Sequence, residues 1–285
     1  MRFGFMVNFL SRPVIAGFMT AAPIIIAASQ FGNLLGLELP NTQYVHILLW
    51  SAVQNVSSIH IPTLAVGGVG IGVLLIVQSL MPKAPGALSW VVLAILGSWM
   101  FGLSNTGVEL VGQIPEGLPA PDLQDWTVSH IWQLAPTAVT LALVQFMLVM
   151  SLGQAFASEH KYSVDANREL YAVGFANLLG SFFRTIPVSG SFSRSAVNDR
   201  TGANTPLANF IAATIVGITL VLLTPLFTLL PIPALASIII VACFGMIDIP
   251  EITYLLQTRW MDGAVALLTF AATLGIGIQP GILIG

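Results

Sequence analysis

The chain has 285 residues, of which 56% are hydrophobic and only 7% are Asp, Glu, Lys or Arg. Soluble domains carry about 25% charged residues, so this composition excludes a typical water-soluble enzyme and a disordered chain. Nine basic and twelve acidic residues give a net charge of −3, which offers no basic patch to a nucleic acid. The sequence therefore predicts a surface that suits the lipid bilayer.

Long apolar runs follow one another along the chain. A bilayer core of about 30 Å needs ~20 helical residues, and backbone groups at that depth must bond within the helix. We therefore predict an all-α, polytopic membrane protein with discontinuous helices. The predicted spans are about 2–36, broken near Arg12 and Pro13, then 44–60, 61–81, 86–104, 131–157, 166–184, a short piece at 191–199, 205–230, 232–248 and 261–278.

The polarity of the connections predicts the orientation of these spans. The 44–60 run is too polar to face lipid, so we expect it inside the protein or at an interface. The connection 105–129 carries acidic residues but neither Lys nor Arg. Because short cytoplasmic loops are enriched in basic residues, Lys83 and the 158–168 loop are predicted inside, and 105–129 outside.

The stretch 180–195 is the most informative part of the sequence, since it places arginines and serines between apolar spans. Pro187 and Gly190 should interrupt the preceding segment, and Ser191 is a good N-cap for the next one. A helix start exposes unpaired amide hydrogens with a partial positive charge, which attracts anions. The candidate anion-binding residues are Ser191, Phe192, Ser193 and Arg194.

A purely structural interpretation of this stretch stays open. The serines would then satisfy the backbone of a re-entrant turn, and the arginine would reach the surface. We interpret Arg184 as structural, and we expect Asp199 and Arg200 to end the half-helix at water. Gln145 is a polar residue inside an apolar span, where it could line a cavity or bond across helices.

Other chemistry finds little support in the sequence. The histidines are scattered, and the lone Cys243 lies in an apolar run. No spacing resembles a metal site, and no nucleotide-binding or metalloprotease motif occurs. We therefore predict no catalytic residues, no metal and no cofactor, and we do not expect an enzyme. Asp165 is a plausible N-cap for the helix that follows it.

Several motifs, taken together and in order, resemble the sulfate permease (SulP) family of anion transporters. They are FLSRPVIAGF at 9–18, DANREL at 165–170, GSFSRSAVN at 190–198, ALASIIIVA at 234–242 and GMID at 245–248. The resemblance implies fourteen membrane segments in two inverted repeats of seven, with a core domain, a gate domain and a following STAS domain. It also places the anion at the starts of the third and tenth segments, the latter matching 190–198.

By this resemblance, residues 1–285 form a partial transmembrane domain of about segments 5 to 13, without a STAS domain. We expect a multi-pass protein of a bacterial inner membrane, in contact with lipid and open to homodimer formation. Many bacterial and plant members carry a glutamate, associated with proton coupling, where this chain has Leu148. Uniport, exchange and sodium coupling are the modes that stay open.

The resemblance implies a secondary transporter of a small inorganic anion such as sulfate, bicarbonate or chloride, working by alternating access. One alternative is a non-transporting fragment or relic of such a transporter. Another is a nucleobase permease of the same fold, which would need a buried carboxylate. The spans 131–157 and 191–199 offer no such acid before Asp199.

Overall fold

A computed structural model provides the structure of the chain. It describes residues 12–42, 44–81, 84–115, 117–122, 127–191, 194–195, 198–199, 202–247, 249–277 and 281. Helices dominate these residues, and a single antiparallel bridge between Leu110 and Pro231 is the strand-like pairing found among them. The predicted all-α fold is confirmed.

The helices occupy most of the predicted spans. They are α1 (Arg12–Ser29), α2 (Phe31–Leu35), α3 (Val45–Gln54), α4 (Ile61–Leu80), α5 (Gly86–Phe101), α6 (Val128–His160), α7 (Ala166–Ser181), α8 (Leu207–Leu222), α9 (Ile232–Phe244), α10 (Ile249–Thr258) and α11 (Trp260–Ile276). At about 1.5 Å per residue, the ten-residue α3 is too short to cross a bilayer. Of its residues only Leu48 is buried, so it is not packed inside the protein as a whole, and its place at an interface stays a prediction.

One predicted boundary was wrong, and one helix was not predicted. The expected span 205–230 is helical only to Leu222 and continues as a 3-10 helix over Thr224–Leu229, where Pro225 lies in the first turn. The helix α10 was not predicted, because it is short and begins with Glu251 in its first turn. It is amphipathic and buries Ile252 and Leu255.

Four helical stretches among the described residues are long and apolar enough to cross a membrane. They are Ala16–Leu35, Ile61–Leu80, Val128–Gln154 and Ile232–Thr258. Large apolar side chains are exposed along their surfaces, for example Leu75 and Ile76 on α4. An exposed apolar helix surface has lipid as its natural solvent, so the chain is a membrane protein.

The chain divides into two compact units. The site unit comprises the described residues between 117 and 222, with α6, α7 and α8. The packed unit combines the described residues 12–115 with those from 223 onward.

The packed unit is built on close helix contacts. The helix α1 packs along α11, where a Cβ on Gly17 would overlap the carbonyl oxygen of Ala266. The helices α4, α5 and α9 meet around Trp90, whose indole Nε1 donates to Ser237 Oγ at 3.0 Å. Small residues at such interfaces let helix backbones approach closely, as is typical of membrane proteins.

Candidate functional site

The chain leaves helix geometry just after α7. Arg184 has a positive φ of 53°, and the amides of Phe183 and Thr185 both donate to the carbonyl of Gly180. Residues 185–190 then follow without helical or turn structure. The break predicted around Pro187 and Gly190 is therefore present.

Ser191 starts the next helical piece. Its carbonyl oxygen accepts from the amide of Ser195 at 2.9 Å, and its Oγ accepts from the amide of Arg194 at 3.5 Å. A side-chain oxygen that accepts from the amide three residues later is the geometry of an N-cap. The predicted cap at Ser191 is confirmed, although its side-chain bond is long.

A helix end follows the helical residues Asn198 and Asp199. The amide of Gly202 donates to the carbonyl of Asp199 at 2.9 Å, and the amide of Ala203 donates to the carbonyl of Asn198 at 3.1 Å. Gly202 has a φ of 82°. This pair of bonds around a left-handed glycine is the Schellman motif that closes helices.

The structure describes two of the four predicted anion-binding residues. Ser191 is half-buried, and Arg194 is exposed and makes no ion pair with any other described residue. Phe192 and Ser193 lie outside the described residues. An anion at this site stays a prediction.

The helix α6 contacts the extended residues just before the cap. Ser189 Oγ donates to the backbone carbonyl of Gln145 at 3.3 Å. A Cβ on Gly190 would lie 3.0 Å from Leu152 Cδ2 and 3.4 Å from Val149 Cγ2. Only a glycine allows this approach without displacing α6 side chains, so Gly190 does more than interrupt a helix.

The two predicted cavity-lining residues, Gln145 and Leu148, are half-buried on α6. Gln145 takes part through its carbonyl oxygen rather than through its side chain. Leu148 lies three residues after Gln145 and four before Leu152, so helical periodicity puts it on the face that meets the extended segment. Whether either side chain lines a cavity stays a prediction.

Sequence reasoning missed Asn177 on α7. Its Nδ2 donates to the carbonyl of Val188 at 2.9 Å, and its Oδ1 accepts from the amide of Val188 at 2.8 Å. The same Nδ2 donates to the carbonyl of Val173 at 2.9 Å. A side-chain amide inside an apolar span, a few residues before a Pro-containing break, is the signal that could have indicated this role.

Arg184 is held away from the cap by its own partner. Its guanidinium forms an ion pair with Asp122, and the amide of Asp122 donates to the carbonyl of Phe182 at 2.8 Å. Both charged side chains are partly exposed. This arrangement agrees with the structural interpretation of Arg184.

A water-accessible cavity of about 400 Å³ adjoins the far end of the half-helix. Its polar lining residues are His160, Tyr162, Ser195, Asn198, Asp199 and Asn204. His160 Nε2 and Asp199 Oδ1 are 2.7 Å apart, which links the end of α6 to the end of the half-helix. The Asp199 side chain is thus partly exposed and held by His160, and its position at the water-facing end of the half-helix stays a prediction. Arg200 lies outside the described residues.

The described residues contain no group of three or more His, Cys, Asp or Glu side chains placed to hold a metal ion. The polar groups near Ser191 are instead amides, hydroxyls and one guanidinium. This donor-rich set suits a negatively charged solute more than a cation.

The sequence matches the model of the sulfate permease family over residues 1–269. It is 33% identical over 285 residues to a probable sulfate transporter of Mycobacterium tuberculosis, covering 99% of this chain and 50% of that protein. It is also 33% identical over 292 residues to the chloroplastic sulfate transporter 4.1 of Arabidopsis thaliana, covering 100% of this chain and 42% of that protein. The chain spans about half the length of the curated relatives it matches.

A solved structure shares the fold. The murine solute carrier 26 family member A9, an anion transporter in the inward-facing state, superposes with a TM-score of 0.92 at 26% identity. The match covers 100% of this chain and 48% of that chain. The chain therefore shares its fold with part of a protein described as an anion transporter.

Proposed function

Because this chain belongs to the sulfate permease family, we propose that it forms part of a secondary transporter for a small inorganic anion. The relatives named as sulfate transporters support sulfate as the first anion to test. Bicarbonate and chloride are the other candidates. The anion binds near the middle of the membrane and crosses by alternating access, without any chemical change.

The capped helix start at Ser191 is the observation that carries this proposal. The first amides of a helix have no partner within it, and the aligned peptide dipoles put about half a positive charge there. Arg194 adds a full charge whose side chain has no partner among the described residues. In the proposal Ser191, Phe192, Ser193 and Arg194 hold the anion.

The presence of two compact units supports separate functions for them in transport. We assign the site unit, which contains the half-helix, to the core that carries the anion. The packed unit is assigned to the gate past which the core moves. Tight helix contacts such as Gly17 against Ala266 suit a frame that keeps its shape during that motion.

The position of Leu148 bears on ion coupling. A carboxylate on this face of α6 could take up a proton near the anion, whereas a leucine cannot. The proposal therefore contains no proton coupling through residue 148. Uniport, exchange and sodium coupling are compatible with it.

The proposal places the protein in a bacterial inner membrane as a multi-pass protein. The mycobacterial relative, which aligns with 99% of this chain, supports a bacterial setting. A homodimer is the proposed assembly, and mass measurement of the detergent-solubilised chain by light scattering would test it.

Binding of radiolabelled sulfate to the purified 285-residue chain in lipid vesicles tests the site. Arg194→Ala should weaken sulfate affinity by about 10- to 100-fold, since a hydrogen bond to a charged group contributes about 1.5–3 kcal/mol. Chloride and bicarbonate should compete with sulfate for the same site.

Arg184→Gln is the matched control, because this second arginine of the same segment is already paired with Asp122. Its effect should stay below about threefold, as expected for a partly exposed ion pair. Equal losses in both variants would contradict the assigned site. Sulfate binding without uptake into the vesicles would favour the alternative of a non-transporting chain.

A further inference from the structure

The side chain of Asn177 makes the same pair of hydrogen bonds with Val188 that a neighbouring β-strand would make. One side-chain amide both donates to and accepts from the backbone of Val188, at 2.9 and 2.8 Å. A hydrogen-bonded pair in an antiparallel sheet exchanges the same two bonds. Because the two bonds use the nitrogen and the oxygen of the amide, they also fix its orientation.

These two hydrogen bonds pair backbone groups that have no partner in a helix or a sheet. The extended segment 185–190 has no helix or sheet in which to pair its amides and carbonyls. At membrane depth, each unpaired group would cost several kcal/mol. Asn177 on α7 supplies a partner for both the amide and the carbonyl of Val188, so the extended conformation leaves neither group unpaired at this residue.

Three consecutive residues tie the extended segment to two helices immediately before the cap. Val188 is bonded to α7, Ser189 Oγ donates to the Gln145 carbonyl on α6, and Gly190 packs against Leu152. Ser191 follows directly and starts the half-helix. Asn177 makes two of the three hydrogen bonds in this set, at 2.8 and 2.9 Å, and the third, from Ser189, is longer at 3.3 Å.

We propose that Asn177 is a positioning residue for the anion site: its amide fixes Val188 and thereby the location and direction of the helix start at Ser191. This inference rests on the proposed function of that helix start. Asn177 itself does not contact the anion. It acts through the backbone that carries the cap and Arg194.

We call the two hydrogen bonds between Asn177 and Val188 the Asn177 clamp. Hydrogen exchange tests this clamp independently of anion binding. Asn177→Leu keeps the approximate side-chain size and does not lower the helix propensity of α7, but it removes both bonds to Val188. Exchange of the Val188 amide should rise about tenfold in the full chain, while exchange in α6 stays the same. Asn209→Leu is the matched control, since this asparagine on α8 is exposed. Unchanged exchange of the Val188 amide would overturn the proposal.

Sulfate affinity then tests the positioning role. We expect Asn177→Leu to weaken radiolabelled sulfate binding about fivefold, with Asn209→Leu unchanged. In the double variant with Arg194→Ala, the combined loss should be at least about threefold smaller than the product of the single losses, since both changes disable one site. A purely structural role would instead give multiplying losses.

The outcomes separate the two proposals. Loss of affinity with Arg194→Ala but not with Asn177→Leu would overturn the positioning role and leave the anion site in place. No loss with Arg194→Ala, or no sulfate binding by the unaltered chain, would overturn the proposed site and this role with it. If Asn177→Leu does not fold, Asn177→Ala replaces it, because it removes both bonds to Val188 without adding bulk or a charge near the proposed site.

Discussion

The packed unit and the site unit are held together by different interactions. In the packed unit, Gly17 lies against the backbone of α11, Gly70 lies against the side chains of Trp90 and Ser237, and Ser237 is fully buried. In the site unit, the described buried hydrophobic residues all lie on α6. They are Phe146, Met150, Leu152 and Ala157.

The site unit relies instead on hydrogen bonds to irregular backbone. Asn177 bonds Val188, Ser191 caps the half-helix, and His160 meets Asp199. Close packing favours regular helices, because interdigitated side chains allow few other arrangements of the backbone. Polar side chains can support extended backbone and leave amides available to a solute. Close packing and the support of irregular backbone therefore depend on different residues in the two units.

The largest expected effect breaks the packing side of this comparison. Gly17→Ala would press a Cβ into the Ala266 carbonyl of α11, which is backbone and cannot rotate away. We expect a loss of about 3 kcal/mol or failure to fold, seen as a lower melting temperature in detergent. Gly72→Ala on α4 meets nothing within 4 Å and should be neutral or slightly stabilising. Equal destabilisation by both would show that close approach is not what holds this unit.

Much of the fold could be predicted, because long apolar runs with terminal breakers specify membrane helices with little tertiary context. The helix α4 begins and ends within a residue of its predicted span 61–81. The helix α10 was not predicted, because only one of its faces is buried by tertiary packing. A short run that contains a glutamate does not reveal such burial. Pro225 converts the end of the 205–230 run to a 3-10 helix, a choice that hydrophobicity alone does not make.

Some features of the candidate site could be predicted from the sequence, and others could not. The break and the Ser191 cap were predictable, since they depend on the local chemistry of Pro187, Gly190 and Ser191. The Asn177 clamp joins residues eleven positions apart, and its partner is a backbone group that any residue type would offer. The link between His160 and Asp199 spans 39 positions. Such contacts require the fold before they can be recognised.

A smaller effect sharpens the description of the packed unit. Ser237→Ala removes the closer of two acceptors for the Trp90 indole and leaves only the Ala234 carbonyl at 3.3 Å. We expect a loss of about 1 kcal/mol in stability, typical of a buried hydrogen bond. Sulfate binding should not change at temperatures where the chain is folded. The exposed Ser79 on α4, which bonds only to the carbonyl of Ile76 in its own helix, provides the control Ser79→Ala.

The most local expected effect, confined to one end of α7, distinguishes the role of the whole helix from that of the Asn177 side chain. Asp165 accepts from the amides of Asn167 and Arg168, so Asp165→Ala should cost about 1 kcal/mol at the start of α7. Amide exchange should rise in the first turn of α7, and Asp165→Ser should restore protection because serine also caps helices. Sulfate affinity should hold, because the bonds to Val188 come from a residue three turns further along. An affinity loss as large as that of Asn177→Leu would mean that the whole helix, rather than one amide, sets the position of the cap.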